Sequence, residues 1–97
     1  MPGTLNGKRC FPLGRLVATP GALQALEANG TGCTHYLERH LNGDWGDLCE
    51  EDRQANAEAL EEGLRLLSAY RLEDGTRIWI ITEADRSATT LLLPCEY

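Results

Sequence analysis

Long apolar runs are missing from this 97-residue sequence. None approaches the roughly 20 residues that a membrane-crossing helix needs, so no membrane span is expected. The apolar stretch Phe11 to Ala18 is broken by Pro12, Gly14 and Arg15, which argues against a signal peptide. The expected compartment is therefore the cytoplasm. Cysteine is sparse and scattered, at positions 10, 33, 49 and 95, with no CxxC pair. Reduced thiols are expected, rather than disulfides or a zinc site. Only two histidines occur, five residues apart, and each reads as a partly exposed surface residue. There is no glycine-rich phosphate loop and no GxSxG elbow. The residues thus give catalysis little support and call for no metal and no cofactor. Bases are outnumbered, nine Lys and Arg against 15 Asp and Glu, for a net charge of −6. Direct binding to duplex DNA is disfavoured, because it usually needs a basic surface.

What is present suits one small domain. Apolar residues make up 42% and charged residues 25%, both ordinary for a globular chain. Residues 1–10 (MPGTLNGKRC) are polar and aperiodic and read as a flexible N-terminal arm; 11–97 read as a single α+β domain. The acidity is local. Residues 44–62 hold eight acids and one base, Arg53, so this window alone carries −7 and the rest of the chain +1.

Gly14 to Ala18 reads as a short first strand. Thr19 can cap a helix that Pro20 starts, with Ala22, Leu23, Ala25 and Leu26 as its apolar stripe and Asn29-Gly30 as its stop. A second short helix spans about Cys33 to Leu41, with Leu37 and Leu41 one turn apart and Asn42-Gly43 closing it. A third starts at Leu48, with Asp47 and Glu50 at capping-box spacing, and ends at Gly63. Its inward face is expected to be Leu48, Ala55 and Ala59, leaving Glu50, Glu51, Glu58, Glu61 and Glu62 outward.

The period then changes to two. Leu64, Leu66, Ser68, Tyr70 and Leu72 alternate with Arg65, Leu67, Ala69 and Arg71. Asp74-Gly75 marks a hairpin, RIWIITE returns from Arg77, and Ala88 to Leu93 forms a further strand stopped by Pro94. The expected architecture is three short helices followed by a three-stranded antiparallel meander, with the short N-terminal strand added at one edge. Both faces of this sheet are apolar near its middle: Ile78 and Ile80 point one way, Trp79 and Ile81 the other. Three short helices leave one face to the N-terminal segment or to a partner, and a homodimer is one such arrangement.

Two loops concentrate unusual chemistry. In Asn42 to Leu48 (NGDWGDL), glycines flank Trp45 between Asp44 and Asp47. Trp45 is either a packed lid or an interface anchor. In Thr82 to Thr90 (TEADRSATT), Asp85 can bond its own backbone and Arg86 can pair with Glu83 or Asp85; the other reading is a recognition loop.

At these segments the chain resembles a family of small bacterial proteins carried by plasmids, integrative elements and prophages, labelled plasmid-related and in some cases restriction-modification subunits. The matching residues are Ala18-Thr19-Pro20-Gly21-Ala22-Leu23, Gly43 through Leu48, Leu67 through Tyr70, Ile78 through Ser87, and Leu93-Pro94 with Glu96-Tyr97. Cys33, Cys49 and Cys95 fall outside the pattern. The resemblance implies a genetic setting, elements that must evade host defences, and with it an anti-defence inhibitor (anti-CRISPR or anti-restriction).

The leading expectation is a non-enzymatic interaction protein. Its acidic third helix, through Glu51, Glu58 and Glu62, would meet a basic protein surface such as that of a nucleic-acid-handling enzyme, with Asp44, Trp45, Glu83, Asp85 and Arg86 as further contact residues. The alternative is a small ligand binder or enzyme using the Asp44–Asp47 and Glu83–Arg86 loops, which requires those loops to converge on one pocket.

Overall fold

Thr19 is extended, and its hydroxyl accepts the Ala22 N–H at 3.1 Å, so the first helix begins where the Thr-Pro pair directs it. The computed structural model describes residues 11–97; the arm expected over 1–10 lies outside the described residues. Strand β1 (Arg15–Ala18) leads into α1 (Pro20–Ala28), α2 (Cys33–Leu41) and α3 (Glu50–Glu62). Strands β2 (Leu66–Arg71), β3 (Arg77–Thr82) and β4 (Ala88–Leu92) follow, then a 3₁₀ turn at Pro94–Glu96.

The fold is α+β, with three helices and a four-stranded mixed sheet in the order β1-β4-β3-β2. β2 with β3 and β3 with β4 are antiparallel. β1 joins β4 in parallel, so the sheet is not purely antiparallel. A parallel neighbour is available because α1, α2 and α3 together form the crossover between β1 and the later strands.

Registry sorts the side chains. Leu66, Ser68, Tyr70, Ile78, Ile80, Thr82, Thr89 and Leu91 share one face and are buried. The helices cover this face with Ala22, Leu26, Leu37, Leu41 and Ala59. The opposite face carries Leu67, Ala69, Trp79, Ile81, Thr90 and Leu92. Neighbouring side chains bury Ile81 and Leu92, whereas Trp79 stays half-buried beneath the ring of Tyr97, 5.7 Å away.

The third helix departs from expectation. Its cap is Cys49, two residues after the expected Asp47, and no side chain closes that cap. Asp47 is drawn away. Its N–H donates to the Ala69 carbonyl, and its carboxylate lies 3.0 Å from Arg77 and 3.6 Å from Arg71. The buried side of the helix is Asn56 and Ala59 with Leu60, while Ala55 is exposed. Asn56 supplies what an edge strand lacks: its amide donates to the Leu67 carbonyl at 2.7 Å and accepts the Leu67 N–H at 3.1 Å. Gly63 does end the helix, in the left-handed conformation at φ 71°.

Candidate functional site

The outer surface of α3 carries Glu50, Glu51, Glu58, Glu61 and Glu62, all exposed. Among the described residues none of these carboxylates forms an ion pair; the pairs are Arg39–Asp44, Arg65–Glu83 and Arg71 and Arg77 with Asp47. Arg53, the one base on the helix, donates to the carbonyls of Leu48 and Gly46 instead, each at 3.2 Å. Acids in the first turn suit the positive end of the helix dipole; Glu61 and Glu62 in the last turn oppose its negative end. Glu58 and Glu62 are also like charges four residues apart, a spacing that costs a few tenths of a kcal/mol.

The two unusual loops do different work. Asp44 is held by Arg39 at 2.7 Å, and that hydrogen bond keeps its carboxyl below the usual range. The Asp44 carbonyl accepts the buried Tyr70 hydroxyl at 2.7 Å. Trp45 is half-buried as a lid, stacked on Phe11 at 6.2 Å and edge-on to His40 at 5.6 Å. Gly46 has φ 77°, and a Cβ there would collide with the Ala69 carbonyl and the Tyr70 ring. That close approach lets Trp45 to Asp47 run along the outer edge of β2.

In the other loop Asp85 accepts the Ser87 N–H at 3.0 Å, as expected of a turn residue, and the Ser87 hydrogen bonds lower its pKa. Glu83 meets Arg65 at 3.4 Å. Arg86 does not pair with Glu83 or Asp85. Its guanidinium donates to four carbonyls, those of Leu64 (2.6 Å), Glu83 (3.1 Å), Ala84 (3.3 Å) and Ala59 (3.1 Å), and lies over the Phe11 ring. It thereby caps the carboxyl end of α3 with the positive charge that end favours.

Among the described residues the two loops meet through packing, with the Phe11 ring between Trp45 and Arg86. Among the described residues, surface clefts of about 360 and 420 Å³ lie away from these loops. One is lined by Leu23, Leu26 and Cys33 among others, the second by Asn29, His35 and Glu73 among others. Among the described residues no three His, Cys, Asp or Glu side chains gather as metal ligands do, Cys33, Cys49 and Cys95 are free thiols, and no helix is long and apolar enough to cross a membrane.

His40 is a correction. It is 0% exposed, not a surface residue. Its Nδ1 bonds Ser68 Oγ, its Nε2 lies 2.9 Å from Thr82 Oγ1, and Thr82 lies 2.8 Å from Thr89. The Thr89 hydroxyl donates to the Leu13 carbonyl at 2.8 Å. A carbonyl only accepts, so the donors from Thr89 back to His40 Nε2 each have one direction. Thr82 donates to Thr89, and His40 Nε2–H to Thr82. The chain puts a proton on Nε2, and burial, which disfavours a second proton on Nδ1, leaves the ring neutral with Ser68 as the donor. Burial, with the Arg86 charge adding to it, pushes its pKa down to about 4. The signal was present in the sequence: His40 falls on the same side of α2 as Leu37 and Leu41. Ser68, Thr82 and Thr89 also occupy inward positions of their strands, and buried polar groups need partners.

Comparison with family models, with curated proteins and with solved structures finds no match for this chain.

Proposed function

We propose that this chain is a non-enzymatic interaction protein that docks the acidic outer face of α3 onto a basic protein surface. Within the genetic setting the resemblance implies, the partner is a nucleic-acid-handling enzyme of a host defence system. The protein inhibits that enzyme by occupying the surface the phosphates would use. One observation carries this reading. The carboxylates of Glu58, Glu61 and Glu62 stand where the helix dipole and one another disfavour them, while the nearby Arg53 and Arg86 bond backbone carbonyls instead. Arg86 offsets the dipole at that end but forms no ion pair with these glutamates, and local choices that oppose stability gather at functional surfaces. Complementary charge would also speed the encounter and make it salt-sensitive.

Asp44, Trp45, Glu83, Asp85 and Arg86 have internal roles that limit their share in docking. Ion pairs hold Asp44 and Glu83, ring packing holds Trp45, turn bonding holds Asp85 and carbonyls hold Arg86. The test is the triple substitution Glu51→Gln, Glu58→Gln and Glu62→Gln. The wild-type protein, immobilised, should retain a basic partner from host extract at low salt and release it at high salt. The variant should lose that retention while folding as well or slightly better, because repulsion along the helix is relieved. Equal retention by the variant overturns the reading.

A further inference from the structure

The two edges of the sheet are finished differently. The outer edge of β2 is occupied: Ala69 exchanges backbone bonds with Trp45 and Asp47, and Leu67 exchanges its pair with the Asn56 amide. At β1 the bonds to β4 use Arg15 N–H to Ser87 and Thr19 N–H to Leu91. Backbone groups alternate sides along a strand, so the N–H and C=O of Leu16 and Ala18 point outward. The side chains there are apolar and exposed, Leu16 at 47% and Val17 at 42%. β1 is short and carries one charge, Arg15, at its start, but no proline, lysine or bulge lies within it to block pairing.

The geometry points to this edge as a homodimerisation site, in which β1 of one copy pairs antiparallel with β1 of a second about a two-fold axis at Val17. In this register Leu16 faces Ala18 of the other copy, and each such pair exchanges both of its outward backbone bonds. Val17 meets Val17 at the axis on the open face of the sheet. Pairing one register step further on would set Leu16 against Pro20, which has no N–H to give.

Charge selects the same occupant. Arg15 forms no ion pair among the described residues. At the other end of β1, Glu96 is exposed, and its carboxylate is fixed by the Thr19 hydroxyl at 2.5 Å and the Leu93 N–H at 2.8 Å. The antiparallel arrangement sets Arg15 opposite Thr19 of the other copy, beside that carboxylate, and the two-fold axis makes the contact twice. A second copy therefore satisfies the backbone groups, the apolar side chains and the unpaired charges together. A four-residue edge buries far less than the roughly 1,600 Å² of a stable complex, so the dimer is weak and concentration-dependent.

Sedimentation equilibrium of the full chain, from micromolar to millimolar concentration, tests this. The wild type should shift from monomer to dimer. Val17→Lys puts two like charges on the axis and should abolish the shift, and Leu16→Pro should do the same by removing an outward N–H that β4 does not use. Circular dichroism should show both variants folded; if Leu16→Pro is not, Val17→Lys decides. A Val17→Cys variant should cross-link through residue 17 under mild oxidation, as peptide mass spectrometry would show. A wild type that stays monomeric at millimolar concentration overturns the proposal. So does a Val17→Lys variant that dimerises as well as the wild type, which would place the interface elsewhere.

Discussion

At the scale of single residues, His40 concentrates the most physical tension. An imidazole with no exposure, edge-on to Phe11 at 5.1 Å and to Trp45, with the Arg86 guanidinium close enough to disfavour its charge, is held neutral. Its folded pKa of about 4 lies below the ordinary 6.5, so the unfolded chain binds more protons between these values. The stabilisation is present in full above pH 6.5, declines as the pH falls, and is lost by pH 4. Its size is on the order of 3 kcal/mol. Urea-unfolding free energies measured across this window should fall more steeply for the wild type than for His40→Gln. Carboxylates titrate in both proteins and cancel in the difference. Parallel pH profiles would show that His40 is not held neutral by the fold. The hydrogen-bond chain through Ser68, His40, Thr82 and Thr89 also ties α2 to the sheet.

At the scale of elements, the edge of β2 depends on a helix and a loop that share its backbone groups. Asn56→Leu keeps the branching and the heavy-atom count of the side chain but strands the Leu67 N–H and carbonyl. Losing both bonds should cost about 2–4 kcal/mol. The opened edge should raise light scattering during refolding. An unfolding free energy within about 0.5 kcal/mol of the wild type would refute this role. The same edge explains where the sequence misleads. α1 and α2 are legible because their signals are local: Thr19-Pro20 starts the first, and Leu37 with Leu41 marks the buried side of the second. The hairpin at Asp74-Gly75 is legible for the same reason. The start of α3 is not. Asp47-x-x-Glu50 has the spacing of a capping box, but Asp47 gains two arginines and a strand edge by staying outside the helix. These partners lie more than 20 residues away in sequence, beyond the reach of local pattern. Asn56 likewise turns inward to meet Leu67, a partner that its own helix does not announce. Arg86 is a further case: its carbonyl partners at Ala59 and Leu64 belong to the end of α3, which nothing in its own loop announces. The exposed glutamates oppose the observed buried side of Asn56, Ala59 and Leu60; beside the expected side of Leu48, Ala55 and Ala59, Glu51 and Glu62 would have stood roughly 40° and 20° from Ala55.

At the scale of the whole molecule, charge and open backbone are placed at opposite edges. α3 packs on β2, one outer strand, while the outward N–H and C=O groups of Leu16 and Ala18 belong to β1, the other. Pairing through β1 would extend the sheet to eight strands and set an acidic helix at each far end. The protein would then present two equivalent negative faces. A divalent molecule binds a dense surface more tightly than a single site does in solution, because the second contact is made at high effective concentration. Val17→Lys lies far from α3 in the strand order and leaves its glutamates intact. It should therefore match the wild type in affinity for a basic partner measured at dilution in solution. On the same partner immobilised at high density it should dissociate faster, by a factor of about 10 or more. The triple glutamine variant should weaken in both formats. If Val17→Lys and the wild type leave the dense surface at the same rate, the two acidic faces do not act together, and α3 works as a single site.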